Sequence, residues 1–152
     1  LGEHGFWQKS NFHEEVTRVP LIITAPGMPS GRTQSLVELV DIFPTLTDLT
    51  NIETPASVQG KSLVPLLKNP ASSVRESALS IYNKGQATNS GHAIRTPKWS
   101  FMRYKDGAEE MYDMEHDPLQ FTNLADKSEF QTTKKSLTTQ LQQRLSDAQI
   151  NK

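Results

Sequence analysis

The side chains best suited to chemistry crowd into the opening of this chain, Leu1-Gly2-Glu3-His4-Gly5-Phe6-Trp7-Gln8-Lys9-Ser10-Asn11-Phe12. Lys9 offers a compact positive charge, the kind that stabilises negative charge growing on an oxyanion in a transition state. The ordinary alternative for any lysine is a solvated surface position. Histidine as a residue type titrates near neutrality, so His4 suits a general acid or a ligand. Lying between two glycines, it equally suits a structural place, hydrogen-bonded to nearby backbone. Glu3 fits a helix cap or a partner for a base. Trp7 and Phe6 fit the wall of a sugar pocket, with core packing as the default for large aromatics.

Further along, His13, Glu14 and Glu15 look like metal ligands, but their spacing matches no zinc motif and no second histidine follows nearby. They read as the solvated start of a helix. His92 and Arg95 fall on an expected strand edge that could line a substrate mouth. Arg95 has the fork to grip a carboxylate such as a uronate, and an ordinary surface ion pair is its alternative. His116 and Asp117 lie in an Asp-Pro turn and read as structural. Glu110 and Asp113 cannot act as one acid–base pair, because positions three apart on a strand face opposite sides.

The elements that must carry these groups follow from pattern. Val19-Pro20-Leu21-Ile22-Ile23-Thr24-Ala25-Pro26-Gly27 is short, apolar and β-branched, as expected of a buried parallel strand. Leu36, Leu39, Val40, Phe43, Leu46 and Leu49 recur at helical spacing, so a helix is expected from about Val40 to Thr50, with Pro44 in its first turn. Ser62 is expected to cap a short helix over Leu63–Leu67. Asn69-Pro70-Ala71-Ser72-Ser73 reads as a linker. Strands are then expected at Ala78–Tyr82, His92–Thr96, Trp99–Tyr104 and Glu110–Asp113, the last two joined by an Asp106-Gly107 turn. A polar helix from Glu129 to about Ala148, with Leu137, Leu141 and Leu145 on one face, is expected to cover that sheet. The expected division is residues 1–70, the end of a catalytic α/β domain, and residues 71–152, a small antiparallel-sheet subdomain with its helix.

With 16 basic and 17 acidic residues, the chain has no broad electrostatic footprint for nucleic acid. No apolar run approaches the roughly 20 residues of a membrane span. The absence of cysteine removes disulfides, zinc ribbons and thiol catalysis from these residues.

Five ordered blocks resemble the type I, formylglycine-dependent, sulfatases. They are Leu1 to Lys9, Arg18-Val19-Pro20-Leu21-Ile22-Ile23, Leu39 to Leu46, Gln59 to Leu67, and the run Glu110-Met111-Tyr112-Asp113-Met114 with Asp117-Pro118 and Asn123-Leu124. Together they cover about residues 1–125. The Trp7-x-Lys9-x-Asn11-Phe12 wording is most similar to iduronate-2-sulfatase-like members. The resemblance implies the C-terminal part of an alkaline-phosphatase-like α/β fold and hydrolysis of sulfate esters of a carbohydrate. It implies a calcium ion and a formylglycine in the longer parent, and a periplasmic, secreted or lysosomal place for it. Lys9 corresponds to the family's sulfate-contacting lysine; His4, Trp7, His92 and Arg95 are weaker site candidates. No metal ligand is expected in these residues. The formylglycine motif Cys/Ser-x-Pro-x-Arg does not occur in them either, so the nucleophile, the metal cage and the partner N-terminal half are expected upstream. Inactivity of this chain alone follows. Alternatives are a fragment of a related phosphodiesterase or phosphonate monoester hydrolase, and a stand-alone module that binds a partner or sugar without catalysis.

Overall fold

A computed structural model describes residues 2–7, 9–85 and 90–148; Leu1 and Gln8 of the opening motif lie outside the described residues. The chain divides into two compact bodies, one of residues 1–19 with 79–152 and one of residues 20–78.

The first body is a four-stranded sheet: β1 (Ala78–Tyr82), β2 (Gly91–Arg95), β3 (Trp99–Tyr104) and β4 (Glu109–Asp113), in that order across the sheet. The strands β2, β3 and β4 pair antiparallel. The expected strands therefore form, with ends shifted by a residue. Asp106-Gly107 turns the last hairpin as its composition demands: Gly107 takes φ 92, and Asp106 Oδ1 accepts the Ala108 N–H at 3.0 Å. Gly91 is required by close approach, since a Cβ there would strike the Arg103 carbonyl.

Alternation along the strands sorts two cores. Ile94, Phe101 and Met111 stand in one cross-strand row, each fully buried, under Leu137, Leu141 and Leu145 of the C-terminal helix. That helix comprises Gln131–Asp147 and is preceded by a 3-10 turn at Ser128–Phe130. The opposite face holds Ala93, Met102, Tyr104 and Tyr112 and is covered by Phe12 of the opening segment. A short helix, α1 (Glu14–Thr17), follows that segment.

The second body contains α2 (Ile42–Leu49), entered through a 3-10 turn at Leu39–Asp41, and α3 (Val64–Lys68); the C-terminal helix is α4. Pro44 sits in the first turn of α2, as its missing N–H allows. Ser62 lies one residue outside the N-cap position, which Leu63 occupies, and its hydroxyl still accepts the Val64 N–H at 3.2 Å. The centre of this body is polar. Asp41 is fully buried and its carboxylate accepts the N–H groups of Glu38 and Lys61, each at 2.8 Å, while Arg75 pairs with it and with Glu38. Thr45 donates to the Asp41 carbonyl at 2.6 Å and accepts the Leu63 N–H at 2.8 Å, joining α2 to α3.

One expected element is absent. Residues 18–25 carry no regular structure and 26–27 form a turn. Leu21 is 39% and Ile22 89% exposed. The apolar pattern reports what its side chains can bury; a strand also needs a neighbour for its backbone groups, and the described sheet does not include this segment.

Two measurements check this architecture. Leu141→Ala removes the most buried leucine at the centre of the α4 face (1% exposed) and should cost about 2–5 kcal/mol in urea unfolding; a loss below about 1 kcal/mol would disprove that packing. Glu109, on β4, bonds Arg103 at 2.6 Å and Lys134 of α4 at 3.1 Å. Burial works to raise its carboxyl, and the two cations overcome this and hold it below the usual carboxylate range. Its contribution to stability is thus present above about pH 4.3 and is lost as pH falls through the lower folded value. Urea midpoints of wild-type and Glu109→Gln should differ at neutrality and converge between about pH 5 and 3. Parallel curves would rule the linkage out.

Candidate functional site

The opening segment is held in a tight turn. Gly2, His4 and Gly5 all adopt positive φ (104, 55 and 75), with Gly5 N–H donating to the Gly2 carbonyl and Phe6 N–H to that of Glu3. Histidine rarely adopts this conformation without support. The support is a stack: the His4 and His13 rings lie 3.9 Å apart and 10° from parallel. His4 Nε2 is 3.6 Å from Glu15, and His13 Nε2 is 3.2 Å from Glu110 on β4. Phe6, Tyr112 and Phe121 surround the pair at 5.7–6.0 Å between ring centres.

Glu110 is the anchor of this arrangement. It shares a cross-strand row with Ala93 and Met102 on a face that is otherwise apolar or aromatic. The Tyr112 hydroxyl donates to it at 2.7 Å. Burial pushes its carboxyl up, but hydrogen bonds from His13, Tyr112 and Tyr104 outweigh that and leave it below the ordinary range. The same burial, together with the Glu110 charge, drives both tyrosines upward. A second tie is Gln120, 1% exposed and at φ 58. Its Nε2 donates to Ser100 Oγ at 3.1 Å and its Oε1 accepts the Glu14 N–H at 2.8 Å.

The candidates named from sequence fall out as follows. Lys9 is exposed, and Trp7, 75% exposed, has its ring beside the Gly2 backbone. His4 is largely enclosed by the stack. His13 is 2% exposed, which corrects the reading of His13–Glu15 as a solvated charge run: Glu14 bonds Arg95 at 2.9 Å, and Glu15 faces His4. Arg95 is engaged by Glu14 and by the Thr96 carbonyl. His92 stands on the other side of β2, in the face of Ile94 and opposite Arg103; burial lowers its basicity. The structure thus does not bring His92 and Arg95 together. Asp117 serves its turn by accepting the N–H groups of Phe121 and Thr122.

Sequence reasoning missed His13, Glu110 and Gln120 as a set. The available signal was Glu110 itself, an acid on the strand face that otherwise buries Tyr112, because such a carboxylate demands partners.

Among the described residues, one group could offer a metal three ligand atoms close together, Asp113, Glu115 and His116, within 4.8 Å. Lys98 already stands there, 3.0 Å from Glu115 and 3.9 Å from Asp113, and His116 bonds Asp113 at 3.1 Å. An internal cation therefore balances these acids, and they do not fit a resident calcium. Formylglycine is excluded from these residues by composition, since they contain neither Cys nor Ser-x-Pro-x-Arg. An open groove of the second body, lined by Asp48, Asn51, Glu53 and Ser62 among others, holds none of the candidates. No described helix is long and apolar enough to cross a membrane.

Comparison with known proteins fits this layout. The family described as N-sulphoglucosamine sulphohydrolase, C-terminal, matches residues 2–147. An N-acetylglucosamine-6-O-sulfatase of Bacteroides thetaiotaomicron is 35% identical over 147 residues, covering 90% of this chain and 26% of that protein. A choline-sulfatase of Rhizobium meliloti is 37% identical over 129 residues, covering 83% and 25%. A protein solved in complex with its substrate D-glucosamine-2-N,6-O-disulfate superposes with TM-score 0.67 at 29% identity, over 73% of this chain and 24% of that one. A phosphonate monoester hydrolase of Agrobacterium radiobacter shares the fold alone, at TM-score 0.58 and 21% identity, over 70% and 24%. The chain spans about a quarter of the length of the curated relatives it matches. The expected fold class holds: an α/β, alkaline-phosphatase-like sulfatase part with an antiparallel sheet packed by a C-terminal helix. The chain belongs to the sulfatase C-terminal domain family.

Proposed function

We propose that this chain is the C-terminal part of a sulfatase that hydrolyses sulfate esters of a carbohydrate. The observation that carries the reading is the family match from residue 2 to 147, which includes the opening segment. Within that segment Lys9 is the sulfate-binding residue. It is exposed in the segment between His4 and His13, and His13 is tied to the sheet through Glu110. An ammonium placed there stabilises charge on the sulfate's outer oxygens more as the ester bond breaks than before. Trp7, exposed beside it in sequence, supplies a face on which a sugar ring packs. His4 acts by holding the turn, which its stack on His13 supports better than a direct role in proton transfer.

In the intact enzyme a formylglycine, made from a Cys or Ser of the polypeptide, would supply the nucleophile, and a bound calcium the divalent charge. Both would come from residues outside this chain, which contains no Cys and no Ser-x-Pro-x-Arg. Residues 1–70 then complete the catalytic domain and residues 71–152 form its small subdomain. The Trp7-x-Lys9-x-Asn11-Phe12 wording supports an iduronate-2-sulfatase-like assignment with a uronate-bearing substrate. A periplasmic, secreted or lysosomal site of action goes with that family.

The test is the intact enzyme carrying Lys9→Ala, assayed on sulfated hexosamine and uronate substrates. Its kcat/KM should fall about 100- to 1,000-fold with an unchanged melting temperature. Wild-type turnover by the variant would remove Lys9 from the site. Phosphonate or phosphodiester cleavage outpacing sulfate release would favour the related hydrolases instead.

A further inference from the structure

Lys9 and Trp7 lie in a loop that is closed ring to ring. His4 and His13 stack at 3.9 Å, with residues 5–12 between them. The later end of this loop has anchors of its own: Phe12 is 3% exposed and packs on Tyr104, and Asn11 Oδ1 accepts the His13 N–H at 3.0 Å. The earlier end is a left-handed turn through Gly2, His4 and Gly5, a backbone that a free chain leaves readily. Its ring contacts converge on His13. The His4 ring meets His13 face to face, and the Phe6 ring lies 6.0 Å from it.

One polar contact orients the His13 ring. Nε2 lies 3.2 Å from the Glu110 carboxylate, while Nδ1 is buried with no hydrogen-bond partner among the described residues. Glu110 does not follow the ring, because the Tyr112 hydroxyl donates to the same carboxylate at 2.7 Å and β4 holds its backbone opposite Met102. In that cross-strand row, shared with Ala93 and Met102, an apolar side chain would serve the core without needing partners. A carboxylate there serves the loop.

We propose that Glu110 is a positioning residue for sulfate-ester cleavage: through His13 and His4 it holds closed the loop that presents Lys9 to the sulfate. The proposal rests on the sulfatase reading above, in which Lys9 contacts the sulfate, and adds the residue that keeps that contact in place. An ammonium favours the transition state only when it is already placed as charge develops, and a misplacement of about 1 Å costs on the order of a hundredfold in rate. A purely structural Glu110 would stabilise the sheet with no link to Lys9.

The test is a double-mutant cycle in the intact enzyme, with Lys9→Ala and Glu110→Gln alone and combined, on sulfated hexosamine and uronate substrates. Glu110→Gln should lower kcat about ten- to a hundredfold and change KM less than about threefold. In the Lys9→Ala enzyme the same substitution should cost less than about twofold. His4→Gly is the second variant: glycine takes the left-handed turn without strain, so the backbone is spared while the stack is lost. It should show the same dependence on Lys9. Far-UV circular dichroism establishes that each variant is folded. The 152-residue chain supplies a readout without catalysis. Backbone order parameters of Gly5, Phe6 and Lys9 should fall from about 0.85 to below about 0.6 in either variant, while those of β2, β3 and β4 hold. Additive losses in the cycle, or loop order unchanged in folded variants, would overturn the proposal and leave Lys9 in its role. Wild-type turnover by Lys9→Ala would instead sink the reading of Lys9 as sulfate-binding, and the proposal with it.

Discussion

Two carboxylates, Asp41 fully buried and Glu110 half-buried, determine how the described parts of this chain are assembled. A carboxylate taken out of water must be given charged or hydrogen-bonding partners, or its burial costs several kcal/mol. Asp41 gathers Arg75, two backbone N–H groups and the capping turn of α2 around itself. Glu110 gathers His13 and two tyrosines. Each acid draws in residues distant in sequence: Arg75 is 34 positions from Asp41, and His13 is 97 from Glu110 (110 − 13). Apolar packing alone would tolerate several arrangements of such small bodies. A buried acid with few admissible partners tolerates far fewer.

The consequences differ between the two bodies. In the first, the Glu110–His13 contact brings the opening segment onto a sheet face that α4 leaves uncovered. The His4 stack then supports a left-handed turn that non-glycine residues adopt uncommonly. Strain of about 1–3 kcal/mol per such residue persists only where surroundings over-determine it, and here they do so next to Trp7 and Lys9. In the second body the same device turns a helix so that its polar side is inward. Phe43 and Leu46 of α2 therefore stay outside the core of their own body, which Leu63, Val64 and Leu66 supply instead.

What was legible in the sequence depended on whether the determining interaction was local. The strands of the sheet, the Asp106-Gly107 turn and the leucine face of α4 follow from alternation, turn chemistry and helical period, all properties of neighbouring residues. Residues 19–27 have the composition of a strand but lack a partner among the described residues, and composition cannot report a partner. The stripe of Leu39, Val40, Phe43 and Leu46 was legible as a helix but not as exposed, because periodicity identifies a stripe without saying which way it points. His13 was misread because its neighbours Glu14 and Glu15 make the run look solvated. His92 and Arg95 were grouped by proximity, although the period-2 rule applied to Glu110 and Asp113 separates them equally. Lys9 was singled out by the motif around it, since nothing in a lysine's own chemistry distinguishes it from a surface residue.

The division of labour in the proposed enzyme follows from what these residues lack as much as from what they hold. A chain without cysteine and without the modifiable serine motif cannot supply the covalent chemistry of sulfate transfer. Among the described residues the one close cluster of possible ligands, Asp113, Glu115 and His116, already faces the Lys98 ammonium. What remains for the proposed enzyme is Lys9 and Trp7, both exposed in the segment between His4 and His13. Such groups contribute by being in place before charge develops, and they lose value steeply when their support loosens. In the proposed enzyme the segment carrying Lys9 then depends on Glu110, which anchors His13, and on His13, whose ring stacks on His4.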